Sequence, residues 1–189
     1  MKFFSLFLLF MLPLSLIAKD SEWFIGIEGG ISEAKFSSKS ADSGRVFSPQ
    51  YGLKFGLRKE HVRYYIGYNQ NNSFGTDLIS SKSMYFGIDG LSDSIKVAAK
   101  THMKLFLGAH MGAADSVIYG TAATDQNAYI NDPNVTAFMA GFQTGVIFLL
   151  PANFEIELAY RHYLLFNSDK TDFNSGTFYG GLNYEFYAF

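Results

Sequence analysis

From residue 23 onward the chain alternates apolar and polar side chains with period two, and this pattern limits the fold more than any other feature. In YGLKFGLR, 51–58, one face is Tyr51, Leu53, Phe55 and Leu57, and the other is Gly52, Lys54, Gly56 and Arg58. VRYYIGYN, 62–69, sets Val62, Tyr64, Ile66 and Tyr68 against Arg63, Tyr65, Gly67 and Asn69. In 102–112, Met103, Leu105, Leu107, Ala109 and Met111 oppose His102, Lys104, Phe106, Gly108, His110 and Gly112. FEIELAYR, 154–161, sets Phe154, Ile156, Leu158 and Tyr160 against Glu155, Glu157, Ala159 and Arg161. Segments 23–33, 82–91, 136–148 and 177–187 alternate less sharply, with apolar faces built on Ile25, Ile27 and Ile31; Met84, Phe86 and Ile88; Phe138, Phe142, Val146 and Phe148; and Phe178, Leu182, Tyr184 and Phe186. The pattern predicts eight strands of about ten residues, an even number and a length that lets a tilted strand cross a bilayer.

The connections alternate as well. Residues 59–61 (KEH) and 149–153 (LLPAN) are short, and 92–100 is somewhat longer. Residues 34–45, 70–81, 113–135 and 162–176 are long and rich in Ser, Asn, Asp, Gly and Thr. Short turns on one rim and long polar loops on the other predict an all-β, eight-stranded antiparallel up-and-down transmembrane β-barrel, with both termini on the short-turn, periplasmic side. A soluble sandwich or lipocalin-like barrel also alternates. The membrane barrel is favoured because the apolar faces carry large side chains with aromatics near their ends. The polar faces are rich in Gly and carry both charge signs, which suits a narrow interior.

Residues 2–18 stand apart from this pattern. Lys2, an apolar run and Ala18, followed by KDSE, read as a secretory signal peptide cut after Ala18, with an uncleaved anchor as the alternative. The domains are then 1–18, the signal peptide, and 19–189, the barrel. No later apolar run reaches the length of a membrane helix. Composition excludes several chemistries. With no Cys there is no disulfide framework, thiol nucleophile or thiolate metal site. Lys plus Arg of 15 against Asp plus Glu of 17 argues against a nucleic-acid surface.

Parity sends Glu28, Lys54, Arg58, Arg63, Asp89, Lys104, Glu155, Glu157 and Arg161 into the interior, five basic and four acidic groups. Charges in a low-dielectric interior must be paired. Glu28 and Lys54 are predicted partners, with Gln143, Tyr65 and Asn183 extending the network. The expectation is a plugged interior, and the competing reading is a narrow selective pore. No catalytic, cofactor-binding or metal-binding residue is assigned, and no cofactor. His102 and His110 share the inward face about 27 Å apart, too far for one metal. His61 falls in the first short turn. No calcium-loop, phosphate-loop or zinc-protease motif is present.

The ending GLNYEFYAF resembles the terminal signal by which outer-membrane barrels are recognised by the assembly machinery. It can be read ending at Phe186 or at Phe189. The Phe186 register keeps Leu182, Tyr184 and Phe186 on one face, whereas the other turns Glu185 toward lipid. The chain from about 22 to 189 thus resembles the small eight-stranded outer-membrane barrels, the OmpA-like transmembrane domain and the opacity-type proteins. FIGIEGG, YGLKFGLR and VRYYIGYN look like segments of such barrels from the Helicobacter and Campylobacter lineage. The resemblance implies a place in the outer membrane of a Gram-negative bacterium, among outer-membrane lipids and lipopolysaccharide. It implies a structural or surface-interaction role, with no periplasmic tether expected.

The longest loop, 113–135, carries Val117, Ile118, Tyr119, Tyr129 and Ile130. Such a loop either offers a surface ligand a contact site or folds over the barrel mouth. Lipid A deacylases resemble LAYRHYLLFNSD, but their His-x-Ser pair is incomplete here: His162 matches the histidine, Leu164 stands in place of the serine, and Ser168 lies four positions late. The palmitoyltransferase-type barrel needs a helix before the first strand, for which KDSEW leaves no room. The expectation is therefore that the chain is not an enzyme.

Overall fold

In the computed structural model the described residues are 21–38, 41–72, 78–119, 135–166 and 171–187. The strands are β1 (Glu22–Ser38), β2 (Ala41–Lys59), β3 (Val62–Asn72), β4 (Leu78–Leu91), β5 (Ile95–Ala98), β6 (Thr101–Tyr119), β7 (Val135–Leu149), β8 (Phe154–Phe166) and β9 (Thr171–Tyr187). Every strand pair is antiparallel. β1 pairs β2 on one side and β9 on the other, and β4 pairs β6, so the sheet closes on itself. Eight long strands form the all-β, closed antiparallel barrel that the alternation predicts. Closure leaves the long strands no free edge, which a bilayer demands because it offers backbone groups no water.

Side-chain polarity is inverted relative to a water-soluble barrel. Ile25, Ile27, Ile31, Leu53, Phe55, Met84, Leu107, Phe138, Leu158, Phe178 and Leu182 all point outward and are exposed. Lys54, Arg63, Asp89, Glu155, Glu157 and Arg161 point inward and are buried. An apolar belt around a charged core fits a hydrocarbon solvent and excludes the soluble sandwich. Aromatic pairs edge the belt near the short-turn rim: Trp23 stacks on Phe55 at 5.2 Å and Phe154 lies 5.2 Å from Tyr184.

The strands outrun the predicted ones. β2 and β6 have 19 residues each, and together with β1, β3, β4, β8 and β9 they take in much of the polar sequence expected to be loop at 34–45, 70–81, 113–135 and 162–176. Above the hydrocarbon both faces of a strand meet polar surroundings, so alternation fades there while backbone pairing continues. A second difference is β5, a short strand inside the connection expected at 92–100. A third is Leu57, on the lipid-facing parity yet fully buried, with Trp23 and Tyr64 beside it on the adjoining strands.

The two tightest connections lie at the same rim as the start of β1 and the end of β9. β2 turns into β3 through Glu60 and His61, with Glu60 at φ 26°. β7 turns into β8 through Pro151–Asn153, where Ala152 and Asn153 take φ of 62° and 64°. The signal-peptide segment 1–18, most of the 113–135 loop, Ser168 and Phe189 fall outside the described residues.

Candidate functional site

Seven inward residues from six strands meet in one ring of hydrogen bonds and ion pairs across the lumen. Arg63 on β3 donates from Nε and Nη2 to Asp89 Oδ2 on β4, at 2.9 and 2.6 Å. Its Nη1 reaches Glu157 Oε2 on β8 at 2.8 Å. Lys54 Nζ on β2 donates to Glu157 Oε1 at 2.9 Å and lies 3.3 Å from Glu28 Oε2 on β1. Arg161 on β8 grips both oxygens of Glu28, at 2.7 and 3.0 Å. Arg161 Nε then donates to Gln143 Oε1 on β7 at 3.0 Å, and Gln143 Nε2 returns to Asp89 Oδ1 at 2.9 Å. The ring holds three carboxylates and three cations and is neutral.

Parity explains the convergence. On each strand the inward positions are every second residue, and Gly67, Gly87, Gly108, Gly141 and Gly145 among them leave lumen space for the long side chains of their neighbours. Each carboxylate is over-supplied with donors. Glu157 also accepts from Tyr179 at 2.6 Å, Asp89 from Tyr65 at 3.4 Å, and Glu28 from Gln50 at 3.3 Å. Asn183 adds bonds to Glu155 and Glu157 at 3.3 and 3.4 Å. The cations rest on aromatic faces: Arg161 lies 4.8 Å from Tyr85 and 4.5 Å from Tyr179, and Arg63 lies 5.0 Å from Phe106. Such satisfaction is what lets ions persist in a dry interior, where desolvation otherwise outweighs attraction.

A second cluster closes the short-turn end. Arg58 pairs with Glu22 at 2.7 Å, with Glu185 at 2.7 Å and with Glu155. Toward the other end the inward side chains are uncharged among the described residues. Ser32 and Ser175 hydroxyls meet at 2.7 Å, and Thr177 donates to Gln50 at 2.9 Å. His110 packs 5.6 Å from Tyr85, and neither ring nitrogen has a hydrogen-bond partner among the described residues.

Eight of the nine predicted interior charges take part in these clusters, and the predicted Glu28–Lys54 pair forms, as do the extensions through Gln143, Tyr65 and Asn183. Lys104 does not join them. It lies at the short-turn rim, where Nζ donates to the Glu60 carbonyl at 2.9 Å, because its height on β6 is below the lumen seal. Sequence reasoning missed Glu22 and Glu185 as partners of Arg58. The parity of Glu185 with Asn183 was the available signal. It also missed the apolar inward side chains Phe24, Met139 and Ile147, which break the polar-face pattern. The terminal strand takes the register ending at Phe186: Leu182, Tyr184 and Phe186 are exposed on the belt and Glu185 faces Arg58.

His162, the one match to a deacylase histidine, sits in the lipid-facing belt. It packs 5.5 Å from Phe142 and stacks on Tyr160 at 6.5 Å, and Leu164 beside it is exposed. His102 and His110 lie on β6 eight positions apart, and His61 bonds Asp93 at 2.9 Å. Among the described residues no three His, Asp or Glu side chains are placed to hold a metal.

No family model matches the chain, and no curated protein matches it in sequence. Among solved structures it is similar to Neisserial surface protein A, with a TM-score of 0.63 and 16% identity over 86% of this chain and 97% of that one. It is also similar to the outer membrane protein AlkL in lipid bilayers, with a TM-score of 0.50 and 8% identity over 89% of this chain and 92% of that one. At these identities the likeness is one of fold, and it agrees with the belt and the lumen: the chain is a small, closed, eight-stranded antiparallel β-barrel with the fold of outer-membrane barrels and the apolar belt of a membrane-spanning one.

Proposed function

We propose that this barrel is a sealed structural element of the outer membrane whose outward segments serve surface interaction, and that it does not conduct ions. The closed ring Asp89–Arg63–Glu157–Lys54–Glu28–Arg161–Gln143 carries this reading. A conducting lumen needs a water-continuous path, and here seven polar and charged side chains from six strands occupy the cross-section at hydrogen-bond distance. The extended polar strands on the long-loop side, together with segment 120–134, supply the surface at which a ligand would dock.

On this reading residues 1–18 are a signal peptide removed after Ala18, and 19–189 form the mature barrel. The strand ending at Phe186 serves as the signal to the assembly machinery, and lipopolysaccharide surrounds the long-loop end. The likeness of FIGIEGG and YGLKFGLR to barrels of the Helicobacter and Campylobacter lineage supports a source there, on sequence alone. The runner-up is a narrow, weakly conducting channel. Planar-bilayer recording of the refolded mature chain separates the two. A sealed barrel gives silent insertions. A reproducible, long-lived open state in most insertions, with ion preference altered by Lys54→Gln, overturns the sealed reading in favour of the channel.

A further inference from the structure

On the short-turn rim β5 and the start of β6 form a hairpin that continues below the barrel wall. β5 lies in line with β4 on the same edge of β6 and pairs through Ile95↔Met103 and Lys96↔His102. β5 has no strand on its other edge among the described residues. The hairpin base is fixed. Leu91 N donates to the His61 carbonyl at 2.8 Å, Ser92 N to the Leu105 carbonyl at 2.9 Å, and Leu105 N to Ser92 Oγ at 2.9 Å. His61 also bonds Asp93 at 2.9 Å, and Lys104 bonds the Glu60 carbonyl at 2.9 Å. The hairpin therefore projects at a set angle.

Its composition does not suit water. Ile95 is 49% exposed and Val97 48%, although they lie past the end of the barrel wall. Cross-strand partners share a face, so Ile95 stands on the face of Met103, which leads directly into Leu105 and Leu107 of the lipid belt. Lys96 and Lys100 are exposed at the tip, with Lys59 exposed on the same rim. Asp93, the acid nearest in sequence, is engaged by His61. An apolar face continuous with the belt through Ile95, ending in exposed ammonium groups, is the pattern of an element lying in the headgroup layer: methyls among the upper acyl carbons, amines raised to the phosphates.

We infer that the β5–β6 hairpin is an interfacial anchor on the short-turn leaflet, inserting Ile95 and Val97 beside the acyl chains and binding anionic phospholipid headgroups through Lys96 and Lys100. This rests on the outer-membrane barrel reading. It gives the open edge of β5 a lipid setting, with interfacial depth fixed by the hairpin base. Opposite charge within a Debye length of the surface adds to insertion, so the effect grows with the anionic fraction of the leaflet.

The natural chain has no cysteine, so single probes carry no background. Ile95→Cys, Leu107→Cys and Lys59→Cys are each labelled with a nitroxide and reconstituted as the full mature chain into vesicles of phosphatidylcholine, with or without phosphatidylglycerol. Collision with oxygen and with a water-soluble nickel chelate is then compared. The expected result is oxygen-dominated relaxation at Leu107 and at Ile95, nickel-dominated relaxation at Lys59, and deeper placement of Ile95 with phosphatidylglycerol. Lys96→Gln with Lys100→Gln should abolish that dependence. An Ile95 label as open to nickel as the Lys59 label in both vesicles, with Leu107 still in lipid, overturns the anchor, leaves the barrel standing and makes a periplasmic protein the partner for the edge. Placement of Ile95 that ignores phosphatidylglycerol overturns the headgroup recognition. A nickel-accessible Leu107 defeats the barrel reading itself.

Discussion

Arg161 and Glu28 are 133 residues apart in sequence and form a bidentate pair across the lumen, both members fully buried. The guanidinium carbon lies 4.8 Å from the Tyr85 ring and 4.5 Å from the Tyr179 ring, and these contacts restrict where its fork can point. The pair ties β1 to β8, which are not neighbours in the sheet, and so fixes the barrel's cross-section as well as its charge.

Removing one member leaves the other charge buried. Arg161→Met should lower stability by about 3–5 kcal/mol, because Glu28 keeps only Lys54 as a cationic partner. Lys54→Met should act similarly by stripping a donor from Glu28 and from Glu157. Combining Arg161→Met with Glu28→Gln should recover part of the loss, since the orphaned carboxylate is gone. Urea titration of folding into detergent micelles, read by the far-ultraviolet signal, checks all three. Additive losses in the double variant would show that the pair is not coupled.

The belt obeys the opposite rule. Leu53 is adjacent in sequence to Lys54 but 56% exposed on the lipid face. Leu53→Arg should cost about 2–4 kcal/mol if it lies near the bilayer midplane. The same substitution in a soluble barrel would be nearly neutral at a surface this open. Unfolding in phospholipid vesicles gives the value, and a change under about 0.5 kcal/mol would place β2 outside the hydrocarbon.

Strand number, direction and facing were legible because one period-two rule operates wherever one face meets lipid and the other a packed lumen. Glu28, Lys54, Arg63 and Arg161 could be placed inside by counting alone. Counting failed where its premise fails. In 41–45 and 113–119 the sequence loses its alternation and reads as loop while the chain stays paired. Lys104 has the right parity but the wrong height, and parity carries no height without the stagger between strands. The ring's closure through Gln143 depends on that stagger too, so sequence could name its members but not their order.

Orientation follows from the asymmetry of the two rims. Cysteines at Lys59 and Ala152, both exposed beside the tight turns, should resist an impermeant maleimide in intact cells. Cysteines at Thr124 and Ser168, in the segments joining β6 to β7 and β8 to β9, should react. Labelling of Lys59→Cys with the outer membrane shown to be intact would reverse the barrel.

Two tyrosines of the lumen, Tyr65 and Tyr85, depend on glycine. Tyr65 faces Gly87 and Tyr85 faces Gly67 across the β3–β4 ladder, and the two rings meet edge to face at 6.1 Å. A Cβ at Gly67 would run into the tip of the Tyr85 ring, and one at Gly87 into the tip of the Tyr65 ring. Both tyrosines are 2% exposed, so neither ring has room to swing aside. Gly67→Ala should therefore cost about 1–3 kcal/mol through overpacking, despite the better strand propensity of alanine. Displacing Tyr85 would also take away one of the two faces that hold Arg161, so the loss should carry over to the Glu28 pair. Shortening the ring tests this link. In the Tyr85→Leu background Gly67→Ala should cost less than in the wild type, because the clashing atoms are gone. Equal cost in both backgrounds, measured by the same urea titration, would show that the clash is relieved elsewhere and that glycine at 67 serves the backbone alone.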